Sequence, residues 1–463
     1  MRSLLPTICL PQLLLTASIA LIACDRTPDP VLTAASAASK VEAVKESVVA
    51  APSNDKDKEE QPYADMGHTL GTVTSVPIRG RLVEEEGQPD LREATPTRDM
   101  SQDELKETDF EAILLGMDGK EITKLGVGKS DGEGYIDAAF PLKEGTANPG
   151  RYRVDIRVKG VSAGKTNVLL LANDFKGSVV RSDIDLTYLD THFIHKRDML
   201  KLLTQKAADR KTLPAMEKVY AALRAGLTGK ENRPLVFISG SPRFFKRILE
   251  AKMQLDGVEH DGIMLKPFEE IAGNQVANLN PDRIVPALKE QVGYKLGHLL
   301  RGRLDLPKKA EEILLGDDSE ADFVVYSIYH RLMSGELEGE AANKELLRGG
   351  VDPSQVGELI ALASKVRATL GGFKPVKAIY INLTGSPNEK FKVKDWPVPG
   401  LLREHQGAWP LILDLYEESL VSKDSVSAVK ARLIELGAAP KTLEEAAKAA
   451  VKAGFLDAKS ASL

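Results

Sequence analysis

The sequence predicts an α/β protein built on a mostly parallel sheet, preceded by a small β-sandwich and followed by a helical segment. Three observations point there. From about Phe175 short apolar runs alternate with amphipathic stretches, the pattern of strands joined by helices. Between Val76 and about Asn173 apolar residues alternate singly with polar ones and turn dipeptides recur, as in an antiparallel layer. Beyond Trp396 the remaining residues read as helical, ending in the Ala/Lys-rich stretch Leu443 to Ala453.

In order, the chain opens with a targeting segment, residues 1–23. Arg2 supplies a basic start, and Leu13 to Ala23 is almost wholly apolar but short for a membrane span. The run ends in Leu21-Ile22-Ala23-Cys24, which resembles the lipobox of bacterial lipoproteins. That resemblance implies lipidation of Cys24 and attachment to a membrane of the bacterial envelope. Asp25 resembles an inner-membrane retention signal, which favours the periplasmic face of that membrane. An ordinary secretory signal or an uncleaved anchor is the alternative; Ala23 and the place of Cys24 at the end of the run favour the lipoprotein. The chain has 2 cysteines, Cys9 and Cys24, so no disulfide framework is available beyond them.

Residues 24–75 are rich in Ala, Ser, Pro and charge, with the run DKDKEEQP at Asp55 to Pro62. Such composition reads as a flexible stalk. Residues 76–175 read as the β-sandwich: Tyr152, Val154, Ile156 and Val158 alternate with Arg151, Arg153, Asp155 and Arg157. The GVGKS of Gly126 to Ser130 imitates a phosphate-binding loop, but Thr123 stands where the first glycine belongs. It is expected to be a hairpin turn.

Residues 176–390 carry the chemistry. Five apolar runs read as strands: one ending at Asp183, then PLVFISGS, GIMLK, EEILLGDDSEAD and AIYINL. Asp183 and Asp185 are expected to project together from the carboxyl end of the first, where open α/β sheets bind ligands. A carboxylate there can attack phosphorus, and a second can hand a proton to the leaving oxygen. Ser239 ends the second strand, with Gly240 and Ser241 offering N–H groups to phosphate oxygens. Lys295 lies on an expected helix before the fourth strand, which ends in Asp317 and Asp318, with Asp322 following. Gathered carboxylates repel unless a cation joins them, and hard oxygen ligands without His or Cys suit Mg²⁺. Asp183, Asp185 and Asp317 are the expected metal residues, with Asp318 and Asp322 supporting them. Lys266 is a lesser rival to Lys295, and His192 and His195 a lesser pair near the entrance.

The constellation resembles the phosphatase branch of the haloacid dehalogenase superfamily, whose motifs are D-x-D-x-T, a strand ending in Ser or Thr, a Lys, and G-D-x-x-x-D. SDIDLT, FISGSP, YKLGHLL and ILLGDDSEADFVVY are similar more closely to the catalytic domain of the fungal actin-patch phosphatidate phosphatases and their bacterial relatives. The resemblance implies that Asp183 becomes an aspartyl-phosphate, Asp185 is general acid and then base, Ser239 and Lys295 bind the phosphoryl group, and Asp317 holds Mg²⁺ with help from Asp183 and the Asp185 main-chain carbonyl. Two residues depart from the pattern: Leu186 replaces the family's third aspartate, and Arg243 stands where an aromatic is common.

Net charge is −5 from 62 basic and 67 acidic residues, well mixed, so no nucleic-acid partner is expected. The expected function is Mg²⁺-dependent hydrolysis of phosphate monoesters, with phosphatidate or a related lipid phosphate favoured. A phosphatase for soluble organophosphates and a non-catalytic envelope lipoprotein that binds partners are the rivals.

Overall fold

The computed structural model describes residues 60–68, 70–86, 102–191, 205–267, 291–454 and 456–457. The targeting segment, Cys24, and the His192–His195 pair lie outside the described residues. No described helix is long and apolar enough to cross a membrane.

The β layer starts earlier than the sequence suggests. β1 (Glu60–His68), β2 (Leu70–Thr72) and β3 (Ser75–Glu86) precede β4 (Asp109–Leu115), β5 (Glu121–Lys129), β6 (Tyr135–Pro141), β7 (Gly150–Val158) and β8 (Val161–Leu171). Glu60–His68 and Leu70–Thr72 are therefore strands and not stalk. Apolar residues of β1, β3 and β6 pack against those of β4, β7 and β8 in one core that includes Ile78, Phe110, Phe140, Val154, Ile156 and Leu170. Gly126 and Gly128 lie within β5, not in a turn; the turn follows at Asp131 to Gly134. A Cβ at Gly128 would meet the Phe110 ring at 2.4 Å, which is why this strand end is glycine-rich.

The α/β layer uses β9 (Ser178–Ser182), α1 (Met216–Ala225), β10 (Leu235–Pro242), α2 (Lys246–Leu255), β11 (Gly262–Lys266), α3 (Val292–Leu304) and β12 (Glu311–Asp317). It continues through α4 (Asp322–Ser334), α5 (Gly339–Arg348), α6 (Pro353–Leu370), β13 (Val376–Asn382) and β14 (Leu402–His405), then α7 (Ala408–Glu417), α8 (Lys423–Glu435) and α9 (Pro440–Lys452). The strand order is β14-β13-β12-β9-β10-β11, all parallel. The order reverses between β9 and β12, so their carboxyl ends flank the crevice of a doubly wound sheet.

Side chains of the central strands alternate between two cores, as a two-residue period requires. Val180, Leu235, Phe237, Ile313 and Tyr380 face α1, α2, α7, α8 and α9. Val179, Val236, Ile238, Leu314 and Ile379 face α3, α4, α5 and α6. The carboxyl-terminal residues are thus not a separate tail. β14 extends the parallel sheet, and α7 to α9 cover one of its faces, with Trp409 Nε1 donating to Leu443 O at 2.9 Å.

Arg181, unexpected in a buried strand, is paid in kind: its Nε lies 3.0 Å from Glu312 Oε1 on β12, and Nη1 donates to Leu299 O at 2.7 Å. Tyr329 donates to the other Glu312 oxygen at 2.6 Å.

The two layers share one sheet. β1 pairs antiparallel with β11 at His68 and Gly262. Beside that junction, Asp65 of β1 accepts from Arg243 Nε at 3.0 Å and pairs with Lys246 Nζ at 2.7 Å. Arg243 also stacks over the Tyr135 ring at 5.5 Å, and Arg247 donates to Glu85 of β3 at 3.0 Å. Arg243, the departure from the family pattern, is therefore committed to the seam between layers. Burial pushes the Asp65 carboxyl up, but Lys246 and Arg243 outweigh it and hold the group well below the usual carboxylate range.

Candidate active site

Asp183 follows the last residue of β9, and its N–H donates to Leu315 O at 2.9 Å, so the sheet ladder fixes where it stands. Its side chain is fully buried, and Lys295 of α3 donates to Oδ1 at 2.9 Å. The chain then folds into a tight turn, with Tyr188 and Leu189 N–H groups both donating to Ile184 O. Within that turn Leu186 has φ +55, left-handed and costly for a branched side chain. Asp185 does not share the partners of Asp183. Its Oδ2 accepts from Ser239 Oγ at 3.1 Å and from Ser241 Oγ at 2.6 Å, both at the end of β10. Ser241 N–H is itself taken up by Ser239 Oγ at 3.0 Å. Gly240 between them is required by close approach, since a Cβ there would strike the Gln291 carboxamide at 2.2 Å.

At the end of β12, Asp317 Oδ1 accepts from the backbone N–H groups of Ser319 at 2.6 Å and Glu320 at 2.9 Å. Asp322 opens α4 and is fully buried. Its Oδ2 accepts from Asp317 N–H at 3.2 Å, and its Oδ1 from Lys295 at 2.6 Å. Gly316 makes room for it, because a Cβ at Gly316 would lie 2.4 Å from the Asp322 Cβ. Asp318 turns away: Oδ1 accepts from Thr384 N–H and Oγ1, each at 2.8 Å. It ties the loop to β13 and does not face the cluster. Lys266, though buried at the end of β11, is not the lysine at Asp183.

Glu320 is the residue that sequence reasoning passed over. Lys295 Nζ lies 3.3 Å from its Oε2. Asp183, Asp317 and Glu320 each offer an oxygen within 4.8 Å of the others, whereas the Asp185 carboxylate is turned to the serines. Its signal was only its place in DDSEAD, one of several acids in a row.

Three carboxylates, Asp183, Glu320 and Asp322, thus contact one ammonium, and Asp317 joins the cluster through Asp183 and Glu320. Burial pushes the Asp183 carboxyl well up, with Asp322 and Glu320 adding to the push and Lys295 opposing it. Burial, Asp322 and Asp183 do the same to Asp317. Burial would depress Lys295, but Asp183, Asp322 and Glu320 hold it well above its ordinary value. Burial raises Glu320 to about 8 against the pull of Lys295. Asp183 Oδ2 and Asp317 Oδ2 are buried without a hydrogen-bond partner. Orphaned carboxylate oxygens converging on one point, with excess negative charge, fit a hard divalent cation.

The sign of the linkage follows. Between about 4.5 and about 8 the folded metal-free protein holds a proton on Glu320 that the unfolded chain has released. Metal-free stability should therefore fall as pH rises through that window. Glu320→Gln should flatten the slope, read by denaturant unfolding in chelator at a series of pH values; an unchanged slope would place the charge elsewhere.

Residues 178–338 match the family model "Phosphatidate phosphatase APP1, catalytic domain". No curated protein matches the chain. Among solved structures, an immunoglobulin-like protein from Pseudomonas aeruginosa is 10% identical with a TM-score of 0.14, covering 24% of this chain and 94% of that one. A glycosyl hydrolase family 2 member from Bacteroides cellulosilyticus is 9% identical with a TM-score of 0.26, covering 77% of this chain and 40% of that one. The BSP domain of a biofilm associated protein is 13% identical with a TM-score of 0.16, and this chain covers 16% of that one. The family match spans β9, β10, β11, β12 and α4, and with them every acid of the cluster. Residues 178–338 resemble the catalytic domain of phosphatidate phosphatase APP1.

Proposed function

We propose that the chain is a Mg²⁺-dependent phosphatase of the haloacid dehalogenase fold that hydrolyses phosphate monoesters through an aspartyl-phosphate. One observation carries the reading most: a buried carboxylate, Asp183, bonded to Lys295 through one oxygen and with the other unpartnered beside Asp317 and Glu320.

In the first step an Asp183 oxygen attacks phosphorus and the ester P–O bond breaks. Asp185 gives its proton to the departing oxygen, which leaves as an alcohol. In the second, Asp185 takes a proton from water, the water oxygen attacks phosphorus, and Asp183 is released with inorganic phosphate. Lys295 offsets the charge on Asp183 and on the phosphoryl oxygens, and the Ser239–Ser241 pair aims Asp185. Asp183, Asp317 and Glu320 would hold the Mg²⁺, which supplies charge neutralisation for the phosphoryl group.

Two features favour a lipid phosphate. One is the family resemblance. The other is the proposed anchor at Cys24, which would hold the enzyme on a membrane of the envelope, the inner membrane facing the periplasm being favoured. Tethering raises the effective concentration of membrane-borne substrate over soluble ones. Arg243 does not argue against this substrate, because its side chain is occupied by Asp65.

The test is phosphate release by the full chain in detergent, comparing phosphatidate in mixed micelles with short-chain and sugar phosphates, with Mg²⁺ or chelator. Release from phosphatidate that vanishes with chelator and returns with Mg²⁺ is expected. Fast turnover of soluble esters with phosphatidate at background would remove the lipid and leave the phosphatase. No release from any ester would favour a binding module.

A further inference from the structure

We infer that Asn382, at the carboxyl end of β13, is a positioning residue for the general-acid turn, resting on the phosphatase reading above. The residue lies outside 178–338, the stretch that matches the catalytic-domain family. In the parallel register it stands beside Asp317, which places its side chain at the level of the acid cluster. It is 6% exposed, and both arms of its amide are in use. Nδ2 donates to Leu186 O at 2.8 Å, and Oδ1 accepts from Gly407 N–H at 3.1 Å.

Leu186 is where that bond matters. It follows Asp185 directly, is buried, and has φ +55, a conformation that leucine resists and that asparagine or aspartate adopts far more readily. A leucine at such a position must be held there by outside contacts. The Asn382 amide captures the Leu186 carbonyl, while Leu186 N–H donates to Leu189 O at 2.8 Å on the other side. Together they fix the peptide that follows Asp185, and so the direction from which its carboxyl meets the leaving oxygen.

The same strand end braces the other acid loop. Thr384 holds Asp318, and Asn388 Nδ2 donates to Ser319 O at 2.8 Å. The catalytic unit therefore does not stop where the family match stops: β13 and the loop after it close around both acid loops.

General acid catalysis is worth most for a poor leaving group, which gives a readout that mere destabilisation would not move. Asn382→Ala should lower kcat for an alkyl phosphate by about ten- to a hundredfold, with KM changed little. For p-nitrophenyl phosphate, whose leaving group needs little protonation, it should slow the burst of p-nitrophenolate release, which reports the first step alone, by less than about threefold. Adding Leu186→Asn to Asn382→Ala should restore much of the alkyl phosphate rate. Amide hydrogen exchange across residues 184–190 should quicken in Asn382→Ala and slow again in the double variant, whatever the substrate. Equal losses in the first step on both esters, read in single turnovers, or exchange in that turn unchanged, would overturn the inference. Wild-type protein inactive on both esters but showing the exchange change would instead sink the phosphatase reading and keep the clamp.

Discussion

Asp183→Asn should abolish phosphate release, by more than about a thousandfold, while the protein stays folded. An amide has no charged oxygen with which to attack phosphorus, so the covalent intermediate cannot form. The accompanying change in stability separates this from collapse of the site. Burial pushes the Asp183 carboxyl well up, with Asp322 and Glu320 adding to the push and Lys295 opposing it, so a neutral amide in its place costs no buried charge in the metal-free state. The metal-free variant should melt no lower than wild type, while the gain in melting temperature on adding Mg²⁺ should shrink. Asp185→Asn should fold equally well and slow both steps by about a hundredfold or more. Full activity in Asp183→Asn would mean that the chemistry runs elsewhere.

Asp65→Ala should cost about 3–5 kcal/mol of stability, since it strands two cations in the seam between the layers. Arg243 and Lys246 both pair with Asp65; Lys246 is buried and Arg243 is largely so. Lys246 loses its closest carboxylate and keeps Glu250 at 3.0 Å. The measurement is denaturant unfolding of the full chain. A loss under about 1 kcal/mol, as for an exposed pair, would show that water reaches the seam and the layers are only loosely joined.

How much of this could be read from the residues depended on what each signal was. The acids at Asp183 and Asp317 were legible because each ends a run buried on both faces, and such runs mark strands of a parallel sheet. Lys295 was legible by its spacing before β12. Glu320 was not, because DDSEAD offers several acids, and only the left-handed Ala321 at φ +69, which swings the chain into α4, decides which of them face inward. Asn382 was invisible for a different reason. A neutral amide after AIYI carries no chemical signature, and its role arises from a neighbour in register and a carbonyl far away in sequence. β1 was missed because EQPYADMGH mixes proline, charge and glycine, its strand character coming from β3 and β11 on either side. β14 was missed because LREH is too short to show a period. The parallel strands could be found one at a time; the pairings that join the layers could not.

The meeting of β1 with β11 also sets an order of assembly. β1 is synthesised long before residues 262–266, so until they arrive that edge presents unpaired N–H and C=O groups to any other strand nearby. β9 likewise waits for β12, its neighbour in the finished sheet. Contacts so distant in sequence form slowly, and a half-made chain is the species most prone to stick to its copies. In sequence the charge run Asp55 to Glu60 leads directly into Gln61 of β1, and like charges on two chains repel. A run of charge placed just before β1 in sequence would then act during synthesis, by keeping that edge single until its own strand is made.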